Sequence, residues 1–151
     1  MGKRSVVLGA AIALVALVVG AIGPAWGSSG DKDKRRTFTL EALTTEQAFE
    51  GTGLGDQIVF TTQLLRGDTE VGHQAGVCTV TSVARAEAQC VATYVFRGGQ
   101  ITGQALIRLG DPTPYAGAIT GGSGKYQGAE GEVRVQPVSG TRGILTFHLQ
   151  G

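Results

Sequence analysis

The residues best equipped for chemistry are few. Cys78 and Cys90 are the only cysteines. At that spacing they are a disulfide, two inert thiols, or one structural thiol beside a reactive one. His73 and His148 are far from them and from each other in sequence, and two Cys with two scattered His lack the ligand spacing of a zinc site, so no metal is expected. The sequence contains no Asn, which removes N-glycosylation and Asn-based site chemistry. A Gly-rich stretch, Gly121-Gly122-Ser123-Gly124-Lys125-Tyr126-Gln127-Gly128, invites a phosphate-loop reading that its spacing defeats. Ile119 stands where the leading glycine should be, Tyr126 stands where a Ser or Thr would ligate magnesium, and no helical pattern follows. The stretch reads instead as a bend rich in positive-φ glycines, with Tyr126 folding back over one end of the domain.

The elements that must position these residues are strands. Residues 37–43 alternate polar and apolar, with Phe38, Leu40 and Ala42 on one face. Further strands are expected over 57–65, 76–82, 87–96, 101–109, 115–120, 132–136 and 143–150, separated by turn signals such as Gly67-Asp68 and Gly98-Gly99. No segment sustains a helical period. Regular short strands of this number predict an all-β fold, an eight-stranded antiparallel closed barrel of calycin-like type, able to enclose one small ligand. A hairpin turning near Ala84 places Cys78 directly opposite Cys90, on one face with Val80, Ala92, Tyr94 and Phe96. The aromatics assign that face inward, where they serve either as an ordinary core or as the lining of an apolar pocket. The pairing makes a cross-strand disulfide geometrically sound.

At 151 residues with 17% charged residues and 25 glycines, the chain suits one folded domain and is neither disordered nor collagen-like. Residues 1–27 have the pattern of a cleavable signal peptide. Lys3 and Arg4 lead, an apolar run follows to Ile22, Pro24 breaks it, and Ala25-Trp26-Gly27 offers a small-residue cleavage site before Ser28. The competing reading is an uncleaved anchor of borderline length. Cleavage would give a secreted or extracytoplasmic protein with no stable membrane span, in a compartment that favours the disulfide. Residues 28–36 form a polar tether and 37–151 the domain. Without Lys3 and Arg4 the formal charge falls from +1 to about −1. No basic run with interleaved aromatics follows residue 40, so nucleic acid is not an expected partner.

The stretch Leu54-Gly55-Asp56-Gln57-Ile58-Val59-Phe60-Thr61-Thr62-Gln63-Leu64, with Gly67-Asp68 and Ala75-Gly76-Val77-Cys78 after it, resembles the first half of plant allene oxide cyclases. The segment 118–131, centred on Gly121-Gly122-Ser123-Gly124-Lys125-Tyr126, is similar to the Gly-rich signature of the same cyclases and of dirigent proteins, and 146–151 matches their final strand in character. The resemblance implies an eight-stranded barrel, usually a homotrimer, with an apolar interior as its pocket. It implies chemistry without a cofactor, in which a reactive small molecule is held in one shape away from water. By the same resemblance, Cys78 matches a pocket cysteine, and Glu41 falls near a pocket carboxylate able to stabilise cationic character or take a proton. These two are the candidate catalytic residues, although Glu41 also suits a solvated strand face and Cys78 a disulfide. Thr62 takes the place of an Asn that in those cyclases helps bind the oxygen of their fatty-acid epoxide substrate, and Val59 that of a Pro. Phe60, Thr62, Val80, Tyr94, Phe96 and Tyr126 are the expected contacts to a small apolar ligand. Three readings stand: a cofactor-free cyclase or isomerase, a non-catalytic binding or guiding barrel, and a structural protein with a filled interior. Val91 and Val95, on the outward face, are where a trimer contact would fall.

Overall fold

The computed structural model describes residues 35–150. The expected leader (1–27), the tether up to residue 34 and Gly151 lie outside the described residues. Alternation of apolar and polar side chains runs through eight strands: β1 (Arg36–Phe49), β2 (Gln57–Arg66), β3 (Thr69–Ser82), β4 (Glu87–Phe96), β5 (Gly99–Arg108), β6 (Tyr115–Gly124), β7 (Glu130–Pro137) and β8 (Arg142–Gln150). Each strand pairs antiparallel with the next, and β8 returns to β1, so the sheet closes into a barrel. Closure leaves no edge strand among the eight, and every strand presents one face inward. Among the described residues there is no helix.

The hairpin at Val83–Ala86 forms as its spacing predicts. Cys78 is the register partner of Cys90, and the two are joined as a disulfide. Ala86 closes the turn with a φ of 53°, and its amide donates to the Val83 carbonyl at 3.1 Å.

Three strands run well past their expected bounds, by four residues or more at one end, each because pairing outweighs weak local signal. β1 continues past residue 43 to Phe49, through a bulge between Thr44 and Glu46. The polar run 44–47 hides alternation, yet β2 supplies partners for all of it but the bulged Thr45. β3 begins at Thr69 rather than 76, because Gly72, His73, Gln74 and Ala75 are held between β2 and β4 on both sides. β6 runs to Gly124, so the expected Gly-rich bend is half strand and half turn. Gly122 is needed there because a Cβ would collide with the Tyr126 carbonyl as the chain folds back.

That fold-back closes one end of the barrel, as expected for Tyr126. Its ring packs on Phe96 at 5.5 Å, and behind it Phe96, Phe38 and Tyr94 surround Phe147. Phe147 stacks on Phe38 at 4.8 Å and meets Tyr94 edge-on at 4.9 Å. Leu40, Leu64, Ile101 and Leu145 complete this floor, all with 3% exposure or less. The other end of the barrel, where the β1–β2, β3–β4, β5–β6 and β7–β8 connections gather, stays open.

Candidate functional site

The aromatic floor fills only one half of the barrel. Above it the interior is a cavity of about 470 Å³, reaching the open end between Gln47, Asp111 and Gly140. This is within the usual range for a small-molecule pocket. Strand register sorts its wall into rows. The row nearest the floor is polar: Thr44 pairs with Thr62, Thr62 with Gln74, and Gln74 with Tyr94, so four hydrogen-bonding side chains from β1 to β4 line up at one level. The next row is apolar and narrow, with Phe60, Gly76, Ala92 and Gly103 in register. Gly76 is fixed by its neighbour, since a Cβ there would run into the Phe60 ring. The third row holds Ile58, the Cys78–Cys90 disulfide and Ala105.

Three of the four side chains in the polar row are buried. Thr62 is 3% exposed, Tyr94 4% and Gln74 9%. Among the described residues none of these three side chains hydrogen-bonds another protein group, and none of their polar atoms is sealed off from the cavity. Burial, with a smaller contribution from Tyr115, pushes the Tyr94 phenol far above its ordinary ionisation range, so it stays protonated. Burial also raises the Tyr115 phenol, nearer the mouth. Of the lining residues only Asp111 and Arg142 are charged, and both lie at the open end. The Thr113 backbone amide, 2.9 Å from the Asp111 carboxylate, together with the Thr113 hydroxyl, holds that carboxyl below its usual range.

Of the residues singled out from sequence, Phe60, Thr62, Tyr94 and Cys78 come together in this cavity. Cys78 arrives as half of a disulfide and so offers no thiol. Val80 is one step nearer the rim, buried, and lines an adjoining hollow with Phe49 and Val83. Phe96 and Tyr126 belong to the closed end and do not line the cavity, because the floor of Phe147 and Phe38 intervenes. Glu41 is not brought to the cavity either. It alternates with the inward Leu40 and Ala42, so it projects from the outer wall, where its carboxylate pairs with Arg142 at 2.6 Å. Gln74 and Thr44 were missed. Both share the parity of residues already assigned inward, Cys78 and Ala42, but lie beyond the strand limits that propensity set. Among the described residues no group of three His, Cys, Asp or Glu gathers to hold a metal.

Solved structures with the same architecture include a pyocyanin demethylase, 26% identical, with a TM-score of 0.69 over 76% of this chain and 99% of that one. A pterocarpan synthase dirigent protein aligns at 16% identity and a TM-score of 0.63, over 78% of this chain and 89% of the other. The Diels–Alderase AbmU from Streptomyces koyangensis aligns at 16% identity and 0.59, over 81% and 70%. At the lower identities the likeness is one of fold. The sequence itself matches the allene oxide cyclase barrel like domain over residues 36–146, the whole barrel short of its last few residues, and the chain therefore belongs to the allene oxide cyclase barrel-like family.

Proposed function

We propose that the barrel binds a small, largely apolar reactive molecule and steers its cyclisation or isomerisation without a cofactor. The observation that carries this reading is the one-ended cavity of about 470 Å³, whose wall is mostly apolar and whose deep polar row is neutral. A molecule held there is confined to few shapes and shielded from water, which lowers a barrier by positioning rather than by proton transfer. The 26% identity to a pyocyanin demethylase over nearly all of that protein supports small-molecule chemistry in this interior. The absence of a free thiol among the described residues favours steering by shape over nucleophilic catalysis.

Turnover of an unstable fatty-acid epoxide and of a linear triene–dienophile substrate, read by chiral chromatography, tests the proposal. Faster closure with one enantiomer in excess is expected. Racemic product at the uncatalysed rate, with the substrate still bound, would leave the alternative, a non-catalytic binding or guiding barrel.

The same reading includes export, cleavage after Gly27, and a homotrimer. Outward Val59, Val77 and Val91 fall in one row across β2, β3 and β4, and Val59 and Val91 are 44% and 49% exposed, a face suited to contact with further copies. Equilibrium sedimentation giving a monomer at micromolar concentration would remove the trimer. Intact mass beginning at Met1 after expression through an export route would remove cleavage.

A further inference from the structure

We infer that the row Thr62–Gln74–Tyr94 recognises a neutral, flat, conjugated carbonyl end of the ligand, an enone or quinone, with the Tyr94 hydroxyl donating to the carbonyl oxygen. The inference rests on the proposal that the cavity is a ligand site, and names what that ligand must carry.

Three side chains, each at least nine-tenths buried, open hydrogen-bonding atoms to the deep end of the cavity and have no protein partner among the described residues. Their polar atoms are open to the cavity, and a ligand that covered them without pairing would bear the cost of burying unpaired polar groups, so what settles on this row must carry polar atoms of its own. Neighbouring strands are about 5 Å apart, so the three groups span an arc of roughly 10 Å. That suits two polar atoms on one rigid ring system better than a single flexible chain.

Charge narrows the class. Among the described residues no cation faces this level of the cavity, so a carboxylate or phosphate would lose its hydration there without compensation. Among them no carboxylate faces it either, so an ammonium group would fare no better. Tyr94, kept protonated by burial, is a donor across the physiological range. The Gln74 carboxamide supplies a second donor and an acceptor, and Thr62 either. Donors with no fixed charge fit carbonyl oxygens. Phe60, lying against Gly76 in the row above, limits the thickness of what reaches the row and favours a planar group.

The consequence for chemistry is direct. When a conjugated carbonyl undergoes ring closure or isomerisation, negative charge grows on its oxygen. A pre-placed phenol hydrogen bond in a dry cavity stabilises that charge, while the proton stays on Tyr94.

The test uses the full chain with three probes of similar size: menadione, methylnaphthalene and naphthoate. Binding is measured by calorimetry, and the menadione carbonyl stretch by infrared difference spectroscopy. Menadione is expected to bind at least ten-fold tighter than methylnaphthalene, and naphthoate more weakly than menadione. The carbonyl stretch should fall to lower frequency on binding. Tyr94→Phe, checked for fold by its urea midpoint, should cost menadione five-fold or more, return the stretch toward its unbound frequency, and leave methylnaphthalene unchanged. Gln74→Leu should give a smaller loss of the same kind. Equal affinity for menadione and methylnaphthalene, or a stretch that Tyr94→Phe does not move, would overturn the inference while the cavity stands as an apolar site. Failure of all three probes to bind would overturn the cavity reading as well.

Discussion

Removing the Cys78–Cys90 disulfide should destabilise the barrel by about 3 kcal/mol without changing its fold. The two cysteines are 12 residues apart in sequence and are register partners at the centre of the β3–β4 ladder. In the folded state the ladder already holds them together, so the bond constrains chiefly the unfolded chain. For a loop of this length the loss of chain entropy is worth about 3 kcal/mol at room temperature. A single domain is stable by only about 5–15 kcal/mol in total, so the change is large. It corresponds to a fall in Tm of roughly 10–15 °C, or of about 2 M in the urea midpoint. The assay is urea unfolding of the wild type with and without reductant, beside the double variant Cys78→Ala/Cys90→Ala. Reduction keeps both side chains and breaks only the bond, so oxidised against reduced wild type isolates the cross-link. Reduced wild type against the double variant isolates the lost side-chain volume in the cavity wall. The slope of the transition should also steepen when the bond is absent, since an uncrosslinked chain exposes more surface on unfolding. Reductant that shifts the midpoint of the double variant as much as that of the wild type would refute the reasoning. So would a midpoint in the wild type that does not move.

Alkaline stability provides a second check. The Tyr94 phenol titrates far higher in the folded than in the unfolded chain, where it ionises near 10. Its contribution is therefore fully present below pH 10 and declines as pH rises above it, by up to about 1.4 kcal/mol per unit. Tyr94→Phe should flatten that decline in urea midpoints taken across pH 8.5–11 (about the range in which an unfolded phenol titrates), and an unchanged slope would contradict the burial of this hydroxyl. Phe147→Ala removes the side chain on which Phe38, Tyr94 and Phe96 converge, and should cost about 3–5 kcal/mol by urea unfolding and loosen ligand binding through Tyr94; a loss under about 1 kcal/mol would mean that the floor is not packed as described. Gly76→Val should push the Phe60 ring into the cavity and cut the affinity for menadione and methylnaphthalene alike, as read by calorimetry. Glu41→Gln breaks an ion pair on the outer wall, and should change stability by less than about 1 kcal/mol and leave probe affinity unchanged. A large loss of turnover in that variant would restore Glu41 to the site.

How much could be read ahead of the structure differed between elements. The register of the β3–β4 hairpin was legible because two cysteines, a turn and an inward aromatic face all agree on it, although the first seven residues of β3 were not. β1 was legible only to residue 43, because the polar run that follows carries no alternation and its pairing comes from β2. The cavity was legible in part. Tyr94 and Phe60 stand out as large side chains on an inward face, but Gln74 sits in a Gly-flanked stretch with little strand propensity of its own. Phe96 and Tyr94 are two residues apart on the same face, and sequence alone cannot say that one belongs to the floor and the other to the ligand chamber.

The chain's own pattern thus determined the class of fold, the number of strands, the inward face of the central hairpin and the register that sets Cys78 opposite Cys90, since all of these follow from period-2 alternation and local turns. Only the closed barrel decided which inward residues share a level, because that depends on the stagger of eight strands around a ring. It placed Thr62, Gln74 and Tyr94 side by side from three strands, left Phe96 in the aromatic floor and Tyr126 at the closed end, and turned Glu41 to the outside. A one-residue change of position along a strand reverses the face, and a two-residue change moves a side chain from chamber to floor. Distances of that size are set by long-range pairing, which no local stretch of sequence encodes.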